Sequence, residues 1–236
     1  GPHVYIAEGG FGLMALDVSD PANRFFSSWY ASPGTSHAVR VNGNLAYLAA
    51  GTSGLQVFDV SDPANIQFED SLDTPGSAEN IHVQGDRAYL AATGSGIQII
   101  DIRESDEMAL LSTFNTSGAA HGLVTSGDLA FVADGFSGLQ TVHIAQHTNL
   151  RRLGSTSYSS QGTDTHLDGI FIYMTTISGF SLHETTGLVY LRYKGGYSSV
   201  SGAPSAVWAR GNRAFMAAGS TVEILDVTDP SSIVQI

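Results

Sequence analysis

Gly54-Leu55-Gln56-Val57-Phe58-Asp59-Val60-Ser61-Asp62-Pro63 is written again and again along this chain. Shifted by 42 residues, the sequence lays Gly12-Leu13 and Asp17-Val18-Ser19-Asp20-Pro21 over that stretch, and then over Gly96-Ile97-Gln98-Ile99-Ile100-Asp101-Ile102 and Gly138-Leu139-Gln140. A worn fifth copy stands at Gly179-Phe180-Ser181-Leu182, and a sixth runs from Thr221 through Asp226-Val227-Thr228-Asp229-Pro230. A period of this length is the signature of stacked or radially arranged units, none of which can bury its apolar faces alone.

The second copy shows what one unit is. His37-Ala38-Val39-Arg40-Val41 leads through Asn42-Gly43-Asn44 into Leu45-Ala46-Tyr47-Leu48-Ala49-Ala50. Asn-Gly between two runs of β-formers is a strong hairpin signal. Gly51-Thr52-Ser53-Gly54 is a second turn, the alternating run 55–60 a third strand, and a looser strand follows Ser61-Asp62-Pro63 over 66–72. Four strands in 42 residues make an antiparallel meander. Copies must stack, and a closed ring of radial sheets leaves only short protected edges, so the pattern predicts an all-β β-propeller of four-stranded blades.

The turn glycines Gly43, Gly85, Gly127, Gly169 and Gly211 keep the 42 spacing, as do Tyr5, Tyr47, Tyr89, Phe131, Tyr173 and Phe215. Six aromatics predict six blades, with the rings packed between neighbouring sheets. Tyr89 is expected in such a position, and Gln98 on the polar phase of its strand, where replacement should cost little. Two low-complexity stretches, 155–162 and 195–202, read as crossover loops within one domain spanning 1–236.

Composition narrows the partners. Twenty-two acidic against ten basic residues give a net charge of −12, which repels phosphate backbones and anionic membranes. The absence of cysteine excludes disulfides, thiolate metal sites and cysteine nucleophiles. No apolar run approaches the length of a membrane span. Gly1-Pro2 reads as a protease scar. The first repeat begins at His3 without the segment that precedes later copies, and 233–236 stops where the second repeat continues through 66–72. These ends read as a domain excised from a longer chain, with an incomplete seam between the first and last blades that a segment past Ile236 would close.

Ala46-Tyr47-Leu48-Ala49-Ala50-Gly51 with the stretch 54–63 resembles the LVIVD repeat. That resemblance implies β-propeller domains of bacterial and archaeal proteins, commonly exported or attached to the cell surface, and brings no shared catalytic set. It departs in the fourth repeat, where His143-Ile144-Ala145-Gln146 replaces the Asp-Val-Ser-Asp turn, and in the fifth, where Ser181-Leu182-His183-Glu184-Thr185-Thr186-Gly187 does.

Functional residues of such folds belong on loops at one rim. One column at the start of the inner strands holds His37, Glu79, His121, Thr163 and Ser205, and the next holds Ala38, Asn80, Gly122, Asp164 and Ala206. Around a channel mouth, His37, Glu79, His121 and Asp164 carry the imidazole and carboxylate types that suit Zn²⁺ or another divalent metal, with Asn80 beside them as a binding residue. A polar, wet channel is the plainer reading of the same residues. A deeper column, Arg40, His82, Val124, His166 and Trp208, reads as packing, with Trp208 filling space and the histidines capped by carbonyls. His143 and His147 lack the helix that would make their spacing useful. The repeated aspartates Asp17, Asp59, Asp101 and Asp226, with Asp20, Asp62 and Asp229, read as turn formers rather than calcium ligands. Asn115-Thr116-Ser117 is a glycosylation sequon. No nucleophile elbow, Walker loop or dinucleotide fingerprint is present.

The expectation is therefore a non-enzymatic binding module, extracellular, cell-surface or periplasmic, that presents a loop face to a protein or glycan, with no nucleic-acid partner. The alternative is a metal-assisted hydrolase or lyase with its ion at the channel mouth.

Overall fold

The computed structural model describes residues 2–156, 160–186 and 190–236, and among these it contains strands and turns but no helix. The first sheet has three strands, His3–Ala7, Leu13–Asp17 and Phe25–Tyr30. The second takes Ala38–Asn42, Leu45–Ala49, Leu55–Asp59 and Gln67–Leu72, and the third Ser77–Gln84, Arg87–Thr93, Gly96–Asp101 and Ala109–Phe114. The fourth follows with Gly122–Ser126, Leu129–Ala133, Leu139–His143 and Arg151–Thr156. The fifth is Gly162–Asp168, Phe171–Thr176, Gly179–Thr186 and Tyr190–Ser198, and the sixth Pro204–Arg210, Arg213–Ala218, Thr221–Asp226 and Val234–Gln235. Every sheet is an antiparallel meander in sequence order, so the fold class is the six-bladed β-propeller expected from the repeat. The chain divides into two compact units, 1–113 and 114–236.

Turn chemistry sets the register. The inner hairpins pair Asn42 with Leu45, Gln84 with Arg87, Ser126 with Leu129, Asp168 with Phe171 and Arg210 with Arg213. Each loop is two residues long with glycine first, and Gly43, Gly85, Gly127, Gly169 and Gly211 all have φ between 54° and 63°. Left-handed backbone at that position is what the twist of a tight hairpin requires, and glycine adopts it without a Cβ penalty.

The aspartate turns are equally regular. Asp17 Oδ1 accepts from Ser19 N, Asp59 from Ser61, Asp101 from Arg103 and Asp226 from Thr228, at 2.7–3.1 Å. Asp20, Asp62 and Asp229 accept from the amide two residues on in the same way. The hydrogen bonds of Asp17, Asp59, Asp101 and Asp226 hold their carboxyls below the usual range. The carboxylates are thus engaged by their own turns.

The core lies between sheets. Tyr5, Leu13 and Ala15 of the first sheet meet Ala46, Leu48 and Phe58 of the second. Tyr47, Leu55 and Val57 meet Leu90 and Ile100 of the third. In the second unit Phe131 and Leu139 meet Ile172 and Met174, and Tyr173 and Phe180 meet Met216 and Leu225. Within each unit, the face that bears the column of Tyr5, Tyr47, Phe131 and Tyr173 thus packs on the opposite face of the next sheet. Tyr89 is buried as expected.

Three expectations need correction. Gln98 is fully buried, not on a solvated face, and its side-chain amide donates to Pro75 O. Gln56 does the same to Pro33 O at 3.0 Å, and buried Gln140 donates to Ser137 O at 2.8 Å. The polar phase of this strand faces a neighbouring sheet, and its amides tie down the turns beside the crossovers. Trp208 fills space only in part, with its ring against His166 and Phe215 and 49% of it exposed. The stretch 195–202 is not all loop, because Gly195 and Gly196 lie inside the strand Tyr190–Ser198. A Cβ on Gly195 would stand 1.7 Å from Pro230 O and one on Gly196 2.8 Å from Phe180 O, so the glycines permit close backbone approach. In the other stretch Ser155 and Thr156 close a strand, while 157–159 lie outside the described residues, as does Gly187 of the fifth-repeat motif.

Candidate functional site

The rim where the inner strands begin collects polar side chains in both units. In the first unit, His37 N donates to Ala49 O at 2.9 Å, which fixes the backbone just ahead of Ala38–Asn42. Its imidazole Nδ1 lies 3.4 Å from Glu79 Oε2, with the side chains 31% and 22% exposed. Glu79 Oε1 accepts from Ser77 Oγ at 2.8 Å. Glu79 stands at a break in register, since Ala78 pairs with Ala92 but Asn80 with Ala91. A bulge of this kind re-aims a side chain. The same break recurs around Thr163, between Gly162 and Asp164, and around Ser205, between Pro204 and Ala206. The polar column is therefore in part a column of bulged residues, and Asn80 follows directly after one.

In the second unit, His121 N donates to Ala133 O at 2.9 Å. Gln161 Nε2 lies 3.0 Å from His121 Nε2; an amide nitrogen only donates, so the ring nitrogen accepts. Thr163 Oγ1 bonds Thr175 Oγ1 at 2.9 Å. Asp164 Oδ2 accepts from Val207 N at 3.2 Å, which ties the fifth sheet to the sixth. Of the five candidate residues, His37, Glu79 and Asn80 thus belong to the first unit and His121 and Asp164 to the second. Within each unit, the described residues bring no three His, Asp or Glu side chains together as a metal-binding group.

Sequence reasoning missed Asp134 and Gln161. Asp134 is fully buried in a column that holds Glu8, Ala50, Ala92, Thr176 and Ala218 in the other repeats. Its carboxylate accepts from Thr116 Oγ1 at 2.5 Å and Gly118 N at 2.8 Å. Burial pushes its pKa up, against the pull of those bonds and of the nearby His121 and Arg152. The break in the alanine column was visible in the sequence; the partners were not. The hydroxyl of the sequon's Thr116 is engaged by this bond, while Asn115 remains exposed.

The deeper column is structural in part. His166 Nε2 lies 2.9 Å from Ala209 O, the carbonyl cap expected, and its ring stacks at a tilt on Trp208 with centroids 5.9 Å apart. Burial, then the charge of Arg40, pushes the His82 pKa down to about 4. At the opposite end of the first unit a cleft of about 430 Å³ is lined by His3, Tyr5, Val39, Val41 and Pro63 among others. It carries no cluster of titratable groups comparable to the His37 rim.

Comparison with known proteins bears on the family and the fold. The LVIVD repeat profile matches residues 1–31, 33–74, 75–116, 117–155 and 201–236. No curated protein matches the sequence. Among solved structures, a protein from Lactobacillus plantarum superposes with a TM-score of 0.81 at 15% identity, covering 99% of this chain and 80% of that one. A functionally unknown protein from Desulfotomaculum acetoxidans gives 0.81 at 11% identity over 99% and 85%. The β-propeller domain of Myceliophteria thermophila Cps50 (Swd1) gives 0.75 at 11% over 98% and 83%. At such identities the likeness is one of fold.

Proposed function

Given that the chain belongs to the LVIVD repeat family, we propose that it is a non-enzymatic binding module of the cell exterior, surface or periplasm, whose binding residues are His37, Glu79 and Asn80 in the first unit and, separately, His121 and Asp164 in the second. The observation that supports this most is the His37–Glu79 pair, part-exposed, separated by 3.4 Å and borne by a bulge, whereas Asp17, Asp59, Asp101 and Asp226 are engaged by their own turns. Imidazole, carboxylate and amide groups held at a rim by rigid strands suit the hydroxyls of a glycan or the polar surface of a protein. A net charge of −12 favours a neutral or basic partner over a polyanion.

The test is binding of cell-wall polysaccharides and surface proteins of the source by calorimetry, with the wild type against His37→Ala/Glu79→Ala. Partner affinity should fall about 10-fold or more in the double variant, the size expected when a central polar pair is removed. A stoichiometric transition metal in chelator-free protein, lost in His37→Ala/His121→Ala, would instead favour a metal-assisted hydrolase or lyase.

A further inference from the structure

The two units treat one place in the repeat differently, the place where the inner strands of neighbouring sheets end. In the second unit, between the fifth and sixth sheets, Asp168 closes an inner strand and its Oδ2 accepts from Gly211 N, in the next sheet's hairpin loop, at 2.6 Å. Two residues before it, His166 Nε2 reaches Ala209 O at 2.9 Å. The protein thus sets a carboxylate of its own on the loop amide. In the first unit, between the second and third sheets, the positions of Asp168, Gly211, His166 and Ala209 are held by Asn42, Gly85, Arg40 and Val83, three repeats earlier. Gly85 has the same left-handed backbone as Gly211, φ 60° against 62°. Among the described residues, however, no side chain accepts from Gly85 N. Arg40, Val41, Asn42, His82, Val83 and Gly85 instead line a cavity of about 130 Å³, and among the described residues that lining holds no carboxylate. Burial, then the charge of Arg40, keeps the His82 pKa at about 4, so His82 is neutral at pH 7 and the cavity's positive charge is that of Arg40.

We propose that this cavity is a site for the carboxylate of a small organic acid, held by the Arg40 guanidinium, the Asn42 side-chain amide and Gly85 N. The second unit is the argument, for there the corresponding loop amide is satisfied by a carboxylate. The first unit replaces that carboxylate with a neutral amide and replaces His166 with a cation, and both changes suit a negative charge brought by a ligand. A guanidinium matches a carboxylate with two parallel hydrogen bonds, and backbone N–H groups of tight turns favour anions. The small volume and the net charge of −12 disfavour a polyanion, which leaves a single carboxylate. The site lies at the ends of the strands Ala38–Asn42 and Ser77–Gln84, away from their beginnings at His37 and Glu79. Its test is therefore independent of the binding proposed for those residues.

The test is a titration of the whole chain with sodium acetate to about 100 mM, read by backbone amide NMR against sodium chloride at equal ionic strength. The Gly85 N–H should move downfield and saturate in the millimolar range that a ligand of so few atoms allows, while the Gly211 N–H, already on Asp168, stays in place. Arg40→Gln should weaken acetate about 10-fold or more, the size of a lost charge-assisted contact. Asn42→Asp gives the first unit the carboxylate that Asp168 gives the second, and Asp-Gly suits the same hairpin. In that variant the Gly85 N–H should stand downfield without acetate, and acetate should bind about 10-fold more weakly or worse. If Arg40→Gln disturbs amides beyond the site, Arg40→Lys, which keeps the charge but not the two-pronged geometry, takes its place with the same expected direction. A Gly85 N–H that does not saturate or that responds equally to chloride would overturn the proposal, as would variants that bind acetate like the wild type. Inorganic phosphate binding there more tightly than acetate would overturn the assignment to a carboxylate.

Discussion

The third and fifth repeats build the same sheet from different sequences. The third, 75–116, lies within the family match; the fifth falls in the gap between residues 155 and 201. The third turns on Asp101, whose carboxylate accepts from Arg103 N, while the fifth has His183-Glu184-Thr185 there. The backbone bond that closes the turn nevertheless persists: Ile102 N donates to Asp86 O at 3.0 Å and Thr185 N to Ile170 O at 2.8 Å. Burial persists too, with Tyr89 and Tyr173 equally enclosed. What the fold requires is the spacing of turns and the alternation of faces; the aspartate turn refines a connection that exists without it.

The core offers the largest test of that view. Tyr89→Ala and Tyr173→Ala should each cost about 3 to 5 kcal/mol in urea denaturation, since each deletes a buried ring from an inter-sheet face. A Tyr173 variant as stable as wild type beside a crippled Tyr89 variant would mean that the fifth repeat is packed on other terms.

Each of the two repeats also has a histidine that is hard to protonate. His183 occupies the column of Phe58, Ile100, Val142 and Leu225, fully buried, with Nε2 3.1 Å from Ser181 Oγ and its ring edge-on to Tyr193. Burial pushes its pKa down to about 4 from the usual 6.5, and burial with the charge of Arg40 does the same at His82. The unfolded chain therefore binds protons below pH 6.5 that the folded chain refuses until about 4. The stability these neutral rings confer is complete above pH 6.5 and lost as the pH falls toward 4. For His183 the loss should be on the order of 2 to 3 kcal/mol, and less for the more accessible His82. His183→Leu, which restores the aliphatic column, should flatten the decline between pH 7 and pH 4.5 in chemical denaturation, and an unchanged slope would place that proton uptake elsewhere.

Smaller effects separate the crossovers. Gln98→Ala should cost about 1 to 3 kcal/mol by leaving Pro75 O without its buried donor. Ser181→Ala, at the corresponding place in the fifth repeat, should cost about as much, because its buried hydroxyl is the partner of His183 Nε2 at 3.1 Å and also reaches Met174 O at 3.4 Å. The sixth repeat places Glu223 here; burial pushes its carboxyl up, but bonds from Ser199 Oγ, Val200 N and Ser201 N outweigh that and hold it low. The least effect belongs to Asp101→Ala, whose turn retains the Ile102 N bond; its denaturation midpoint should move less than that of any variant above, and a larger shift would mean that the aspartate does more than refine the connection.

The first residue of each inner hairpin loop was legible as a glycine column, and the inter-sheet aromatics as a second column. Both are consequences of local backbone geometry repeated at fixed spacing. Asp101 and its counterparts were legible for the same reason, their partners lying two residues away. Gln98 was misread because alternation tells which residues share a face but not whether that face meets water or another sheet. His37 and Glu79 were named as rim residues from their positions, yet the pairing rests on the bulge at Glu79, and one extra residue in a strand leaves no mark on a pattern that tolerates drift.

Sequence by itself determined the unit, its four strands, its turns and the family, because a hairpin loop and an alternating strand are settled by neighbours within a few residues. Tertiary structure decided which polar side chains are buried, as at Gln98, His183 and Asp134, and which apolar ones are left in water, as at Trp29, Phe26 and Trp208. Those outcomes depend on what stands across a sheet from each residue, roughly one repeat away along the chain, and no local pattern records that.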